Sequence, residues 1–522
     1  MFRHFLASAF ASIVRAPLTT VAGVLTLALG LACFIAAYGI ASYWRAADGY
    51  QPNADRTVVI GHTWTYRDGD GPQQSTLSAH ATAGFLATDF PEIGSIARAT
   101  TDADIPAAAG ANQIILNTVT VDPQFLDIFD LPFVAGDGRT ALARPNSVVL
   151  TSSAAERLFG QQPPLGKSVL LNGQETLTVT GVIGAVPQPS FMGEGPDSTM
   201  RFDLIRDWGS SPRGSVLDSL PRTIGGGAVY TFLELPEGML VEALNARLPA
   251  FVERHITPDI RERGDLSLAA FPINELSTRE LDIALFAQSS AGVSTISVLL
   301  GLGILTLVVA CMNYAGLATA LATSRAKELG MRRVLGAGAL AVMAQAWLEA
   351  FALTLAAVTI AFGALALAAP AVAASTGVDI LYFLRAGLAP SGVIAAVILA
   401  VSFAAGAYPG LILSQVRPST ALRSGKSRSG SGLIARTLVC IQFASASFLL
   451  ILVTVMHLQR EHLASTALAP REDPIVLLND LRPIGVSYET LATRLSGKPG
   501  IKAVSIVDVP PWNSMMNSLE FS

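Results

Sequence analysis

Residues with the chemistry for catalysis or nucleotide binding do not combine into a recognisable motif in this 522-residue chain. Residues 160–168 read GQQPPLGKS, with five residues between the glycines where a phosphate-binding loop has about four, and two of the five are prolines. No HExxH or GxSxG motif occurs, and the six histidines are scattered. We therefore expect no catalytic residue, metal ligand or bound cofactor. The alternative, a membrane-anchored hydrolase, would need a site assembled only by folding.

Residues 324–338 instead have the types and the spacing for binding another protein. Ser324 can cap a short helix, and Gly330 and Gly336 allow tight entries of the backbone on either side. Apolar residues alternate there with five charged ones, which are Arg325, Lys327, Glu328, Arg332 and Arg333. Such a mixture is typical of a protein interface. A loop that merely follows the positive-inside rule would explain the basic residues but not the apolar ones.

Three polar residues, Asn313, Tyr314 and Glu349, lie within apolar segments. A carboxylate inside a membrane is costly and is usually paired. We expect Glu349 to hydrogen-bond Asn313 or Tyr314 across a helix interface, or else to extend to the cytoplasmic boundary. No series of titratable residues accompanies Glu349, so a proton relay is not expected.

The composition indicates a membrane protein. The chain is 51% hydrophobic and 14% charged, whereas soluble proteins average about 25% charged residues. Five apolar segments are long enough for a helix of about 20 residues to cross the bilayer. We therefore predict five α-helical transmembrane segments and an α+β domain inserted after the first span. The predicted boundaries are 1–15 (interfacial amphipathic helix), 16–44 (first span), 46–282 (exported domain), 288–416 (three spans), 417–436 (basic linker), 437–457 (fifth span) and 458–522 (start of a second exported domain).

The charge distribution predicts the orientation. Residues 46–282 contain 16 Lys and Arg against 29 Asp and Glu. The short segments assigned to the cytoplasm contain 11 basic residues and one acid, Glu328. By the positive-inside rule, the N-terminus lies in the cytoplasm and the large domain lies outside. The basic residues flank apolar segments, so they indicate orientation and not nucleic-acid binding. The 417–436 linker is predicted to be a flexible cytoplasmic connector, with attraction to membrane lipid as a secondary effect.

The exported domain shows short β-rich runs broken by Gly, Pro, Asn and Asp. Strands are predicted at 57–60, 95–99, 113–121, 147–150 and 176–183, and helices near 83–90 and at 241–255. The three cysteines all lie in apolar segments, so no disulfide supports this domain. It must be held together by its own hydrophobic core.

Both ends of the chain carry smaller features. Residues 1–15 have apolar residues at helical spacing, and either lie in the interface or lengthen the first span. Residues 458–522 resemble the start of the exported domain, with a strand at 474–480, a helix at 488–495 and a strand at 503–507. Two strands and a helix are too few to bury a core. We therefore expect a fragment of a protein of roughly 800 residues.

Four stretches carry a resemblance to MacB/FtsX-type ABC transporter permeases. The second span and following loop of that family are similar to residues 311–337, CMNYAGLATALATSRAKELGMRRVLGA. A later span and its exit are similar to residues 406–425, GAYPGLILSQVRPSTALRSG. The MacB-like periplasmic core domain resembles residues 120–137, TVDPQFLDIFDLPFVAGD, and residues 148–169, VVLTSSAAERLFGQQPPLGKSV. The stretches occur in the order of the family.

The resemblance implies the permease subunit of an ABC transporter in a bacterial inner membrane. In this family a cytoplasmic ATPase binds ATP, and its movement reaches the periplasmic domain by mechanotransmission, for substrate export or extraction. No Walker motif occurs, so we expect the ATPase to be another polypeptide that docks on residues 324–338. A periplasmic adaptor or substrate protein is a further expected partner. The alternative is an FtsX-like regulator that activates a periplasmic partner such as a cell-wall hydrolase.

Overall fold

The computed structural model describes residues 17–67, 72–194, 198–279, 295–324, 331, 338–415, 432–467, 488–496 and 498–505. The interfacial helix predicted for residues 1–15 and the strand predicted for 474–480 lie outside these ranges. The described residues divide into a membrane unit and a soluble unit.

The helices are α1 (Pro17–Arg45), α2 (Thr82–Asp89), α3 (Phe125–Ile128), α4 (Ser152–Phe159), α5 (Pro212–Ser219), α6 (Val241–His255), α7 (Pro258–Arg263), α8 (Ile273–Arg279), α9 (Thr295–Ser324), α10 (Ala339–Thr376), α11 (Leu388–Gln415), α12 (Gly432–Ala467) and α13 (Tyr488–Ser496). The strands are β1 (Thr57–Tyr66), β2 (Pro72–Ser75), β3 (Ser95–Ala109), β4 (Asn112–Val121), β5 (Phe133–Gly136), β6 (Ser147–Thr151), β7 (Ser168–Leu171), β8 (Glu175–Ile183), β9 (Met192–Gly193), β10 (Met200–Arg201), β11 (Leu204–Asp207), β12 (Tyr230–Glu234) and β13 (Gly264–Pro272).

Among the described helices, α1, α9, α10, α11 and α12 are long and apolar enough to cross a membrane. This confirms the predicted number of spans. Helix α12 runs from Gly432 to Ala467, so it is longer at both ends than the span predicted for 437–457, and residues 432–436 of the predicted linker are helical. The prediction ended the span where charges begin. Helical hydrogen bonds form within the backbone, however, and continue through polar residues beyond the hydrocarbon.

Eleven strands form one mixed sheet in the described part of the soluble unit. The main path runs β13-β1-β12-β3-β4-β11-β6-β8-β5, with β2 on β1 and β7 beside β3 and β8. Most neighbouring strands are antiparallel, while β11 pairs with β4 and β6 pairs with β8 in parallel. Helices pack on this sheet, which confirms the predicted α+β class.

Helix α6 illustrates how the sequence builds this unit. Leu244, Leu248, Phe251 and Val252 recur at helical spacing, and all four are buried against β1, β12 and β13. Because one face of the helix is apolar and the other is charged, only one orientation on the sheet removes the apolar face from water. The bounds of α6 are those predicted from the sequence.

All five strands predicted for the exported domain are present, but β3 is longer than predicted. It continues to Ala109 because a bulge between Asp102 and Ile105 accommodates residues that read as a loop, with Asp104 at a φ of 56°. The strand predicted at 503–507 is wrong for residues 503–505, which are described and are not in a strand. A strand needs the main chain of a neighbour, and no described strand pairs with these residues.

Glycines allow helix α1 to approach helix α9 closely. A Cβ atom on Gly30 would lie 2.5 Å from the Cβ of Ala310, and one on Gly303 would lie 3.0 Å from the Cβ of Ala37. Lipid tails are as apolar as leucine, so helices associate in membranes through close packing at small residues. The close contact between α1 and α9 therefore requires glycine, which has no side chain, at positions 30 and 303.

The chain that leaves helix α1 is bound to the soluble unit at Asp48, which is fully buried. Its carboxylate accepts hydrogen bonds from Ser190 Oγ at 2.5 Å and from the Phe191 backbone N–H at 3.0 Å. The Asp48 N–H donates to the Pro189 carbonyl at 2.9 Å. Burial raises the pKa of Asp48 to about 7, against the two hydrogen bonds, which lower it. Phe191 packs in turn against the ring of Phe232 in the core.

We predict that Gly30→Ala destabilises the membrane unit by roughly 1–3 kcal/mol, because the new methyl group must displace Ala310 or separate the two helices. The matched control is Gly301→Ala on α9, where nothing lies within 4 Å of the added Cβ. Thermal unfolding of both variants in detergent measures the difference. Equal melting temperatures for the two variants would contradict the close packing of α1.

We predict that Asp48→Asn reduces the pH dependence of stability. A carboxyl whose pKa is raised on folding stabilises the fold most below its ordinary pKa near 4, and this contribution is lost as pH rises through about 7. Asparagine can bond to Ser190 and Phe191 but does not ionise in this range. Between about pH 5 and about pH 8, the melting temperature should therefore fall more for wild type than for the variant. The exposed Asp127→Asn should behave as wild type.

Candidate functional site

The predicted coupling segment connects helix α9, which ends at Ser324, to helix α10, which begins at Ala339. The predicted role of Ser324 as a helix cap stays a prediction. Met331 is helical and its side chain is 55% exposed. Gly338 precedes α10 in extended backbone, at φ −68° and ψ 159°. The other predicted contact residues lie outside the described residues: Arg325, Lys327, Glu328, Gly330, Arg332, Arg333 and Gly336.

Tyr314 lies where several spans meet, by a helical rise of 1.5 Å per residue about 15 Å along α9 from Ser324. Its side chain is buried and packs with Ala350 of α10 and Ala405 of α11. On helix α1, a Cβ added to Gly23 would lie 3.4 Å from the Tyr314 ring. The residue therefore lies where α1, α10 and α11 pack against α9, near the coupling segment.

Helices α10 and α11 cross closely at the same level. A Cβ on Gly406 would lie 2.9 Å from the Cα of Trp347 and 3.1 Å from the Cβ of Ala350. Further along this pair, Thr354 and Ser402 are fully buried. Their hydroxyls donate to backbone carbonyls of their own helices, so they bury no unsatisfied group.

Glu349 is half-buried and accepts a hydrogen bond from Gln345 Nε2 at 3.2 Å, one turn earlier on α10. Sequence reasoning missed Gln345, although its spacing of four residues on a helix could have indicated the pair. The predicted bond from Glu349 to Asn313 or Tyr314 stays a prediction. Ala350, which follows Glu349 on α10, packs against Tyr314. Asn313, which precedes Tyr314 on α9, is half-buried.

The C-terminal end of helix α1 is attached to the residues between α10 and α11 and to the first turn of α11. Tyr38 donates from its hydroxyl to the Pro390 carbonyl at 3.2 Å, and Tyr43 donates to the Gly377 carbonyl at 3.3 Å. A Cβ on Gly39 would overlap the backbone carbonyl of Ile380.

Aromatic rings reinforce this attachment. The Tyr38 ring packs edge-on against Phe383, with centroids 5.9 Å apart, and the Tyr43 ring packs edge-on against Tyr382 at 5.6 Å. Sequence reasoning missed these contacts. The signal was available, because tyrosines near the end of a span are typical of the membrane interface.

The GQQPPLGKS stretch forms a surface turn after helix α4. Lys167 Nζ donates to Gln162 Oε1 at 2.5 Å and lies 5.3 Å from the centroid of the Phe159 ring. The lysine thus contacts its own turn. No group of three or more His, Cys, Asp or Glu side chains that could hold a metal ion occurs among the described residues.

Comparison with known proteins gives two family matches. Residues 20–251 match the MacB-like periplasmic core domain, and residues 293–418 match the FtsX-like permease C-terminal domain. Together the two matches span about two thirds of the chain. No curated protein sequence matches the chain.

Three solved structures are similar to part of the chain. A domain assigned to a permease protein from Porphyromonas gingivalis has 22% identity over 42% of this chain and 91% of its own, with a TM-score of 0.36. The periplasmic region of MacB from Actinobacillus actinomycetemcomitans has 19% identity over 41% and 88%, with a TM-score of 0.28. The extracellular domain of the noncanonic ABC-type transporter YknZ from Gram-positive bacteria has 12% identity over 41% and 99%, with a TM-score of 0.27.

The family follows from the two sequence matches, which occur in the order expected from the four stretches that carried the resemblance. The first match covers helix α1 and most of the soluble unit, and the second covers helices α9 to α11. The chain belongs to the MacB/FtsX-type ABC transporter permeases, multi-pass proteins of the inner membrane.

Proposed function

We propose that the chain is a permease subunit that works by mechanotransmission. A separate cytoplasmic ABC ATPase hydrolyses ATP, and the resulting movement drives the periplasmic domain to export or extract a substrate. The observation that supports this most is the attachment of helix α1 to the other spans at Gly23, at Gly30 and at its outer end through Tyr38 and Tyr43.

Movement enters through the coupling segment in this proposal. The ATPase binds the alternating charged and apolar residues between Ser324 and Ala339, and displaces the ends of α9 and α10. Both helices meet at Tyr314 and Ala350, where α11 and α1 also pack. Close-packed interfaces transmit displacement rather than absorbing it, because they have few voids to collapse into.

Movement leaves through helix α1. This helix has 29 residues, and a rise of 1.5 Å per residue makes it roughly 44 Å long. It has no internal proline that would bend it. Only two residues separate its last residue, Arg45, from Asp48, which is bound to Ser190 and Phe191. The connection that carries the displacement from the helix to the domain is therefore short in sequence.

The orientation is part of the proposal and follows from the charges. We predict that alkaline phosphatase is active when fused after residue 282 and inactive when fused after residue 336. Green fluorescent protein fused at the same two positions should show the opposite pattern. A fusion after residue 378, in the turn between α10 and α11, should match the one after residue 282. Periplasmic activity of the fusion after residue 336 would refute the proposed docking of an ATPase there.

We predict that Arg332→Glu with Arg333→Glu abolishes co-purification of the ABC ATPase with the chain, because the reversed charges repel its docking surface. The matched control is Arg423→Glu with Lys426→Glu, the same change in the basic linker, which should retain the ATPase. Retention by the first variant would exclude the coupling segment as the docking site. Equal loss from both variants would indicate a general effect of charge instead.

A further inference from the structure

The soluble unit contains an open cavity of about 590 Å³ beside helix α2. Its apolar lining comes from small and branched residues, among them Ala83, Ala87, Ile93 and Ile96. A volume of this order accommodates a ligand of the size of a modified amino acid or a short peptide. Polar side chains also line this cavity. Some of them have hydrogen-bond or ion-pair partners within the protein, and others do not.

Arg98 is a lining residue whose bonding is complete. It contacts Asp122 through Nε at 2.9 Å and Nη2 at 3.0 Å, and Asp218 through Nη1 at 2.5 Å. Its guanidinium also lies 4.0 Å from the centroid of the Trp208 ring, and the Trp208 indole N–H donates to Asp218 at 3.0 Å. These charges satisfy one another and form a rigid wall.

His80 is a lining residue whose bonding is incomplete. It is only 8% exposed, and its buried Nε2 has no hydrogen-bond partner. Burial lowers the pKa of His80, against a hydrogen bond to the Leu220 backbone and the charge of Asp218, which raise it. A lowered pKa favours the neutral ring at pH 7, and we assign its proton to Nδ1, because Nε2 has no partner and the Leu220 backbone contributes a hydrogen bond. Nε2 is then an acceptor without a donor, which is costly in a buried position.

Arg222 is an exposed residue at the edge of the same cavity. No carboxylate of the described residues forms an ion pair or hydrogen bond with it. Its guanidinium lies 5.1 Å from the centroid of the Phe85 ring, which keeps the side chain near helix α2 and the cavity. Besides the bonded Arg98, Asp122 and Asp218 and the side chain of Gln124, the cavity thus offers a cation without a carboxylate partner, a buried acceptor without a donor and an apolar wall.

We propose that this cavity binds a carboxylic acid that carries an N–H donor beside the carboxylate and an apolar side group. An N-acylated amino acid and the carboxyl terminus of a peptide share this chemistry. The carboxylate bonds to Arg222, the N–H donates to His80 Nε2, and the apolar group packs on Ile93 and Ile96. This goes beyond the proposed function, since binding here requires no ATPase and is measured without one.

The test uses the full chain in lipid nanodiscs and calorimetric titration with three small probes. N-acetyl-leucine has the carboxylate, the N–H and the apolar group. N-acetyl-leucinamide lacks the negative charge, and 4-methylpentanoate lacks the N–H. We expect each of these two to bind at least about tenfold more weakly than N-acetyl-leucine, because each leaves one charge-assisted or buried hydrogen bond unmade.

Variants assign the contacts. Arg222→Gln should weaken N-acetyl-leucine binding by about tenfold or more, and Arg222→Lys should restore part of it. His80→Asn keeps a donor near Nδ1 for the Leu220 carbonyl but removes the Nε2 acceptor, so it should weaken N-acetyl-leucine and leave 4-methylpentanoate unchanged. Arg144→Gln, an exposed arginine outside the cavity, is the matched control.

A tetrapeptide that ends in leucine, compared with its C-terminal amide, distinguishes a peptide carboxyl terminus from a free N-acylated amino acid as the ligand. Binding of the free acid form of the peptide identifies a peptide terminus, and exclusion of the peptide with binding of N-acetyl-leucine identifies a free small acid. If neither N-acetyl-leucine nor the free acid form of the tetrapeptide binds wild type at millimolar concentration, the proposal is overturned. Equal affinity for N-acetyl-leucine and its amide would do the same without depending on any variant.

Discussion

Close backbone approach at glycine is the constraint on which the membrane unit depends. A membrane offers no hydrophobic drive for one apolar helix to join another, so the energy must come from contact between atoms. Gly30 and Gly303 place helix α1 against α9, while Gly406 places α11 against α10. A Cβ atom added at these glycines would meet the backbone or the Cβ atom of the neighbouring helix. Larger residues at these positions would therefore force the helices apart. The polar side chains of the membrane unit are held in place by this packing.

The two ends of helix α1 use different chemistry. Its C-terminal end is held by directional bonds, with the Tyr38 and Tyr43 hydroxyls donating to backbone carbonyls. Nearer its N-terminal end, Gly23 leaves room for the Tyr314 ring, a packing contact that carries no such direction. Hydrogen bonds to carbonyls hold one position, whereas ring packing tolerates small sliding. The C-terminal end of helix α1 is therefore the more firmly fixed of the two.

Much of the fold could be predicted because it follows from local patterns. The five apolar segments, the apolar stripe of α6 and the alternation in strands such as β8 each depend on residues close in sequence. The bulge in β3 could not be predicted, since Asp102 and Asp104 favour a loop unless a neighbouring strand holds them. Gln345 was within reach, as it lies one helical turn from Glu349. The cavity at His80 joins residues far apart in sequence, and no local signal indicates it.

Helix α12 contacts helix α9 but is the least buried of the five spans. Of its most apolar window, 6% is buried within the described residues, against 56% for helix α1. With few protein contacts among the described residues, its level in the bilayer depends more on the match between hydrophobic length and membrane thickness than that of helix α1 does. A thicker or thinner lipid environment would tilt or raise this helix first, so the lipid composition itself acts on the chain at this point.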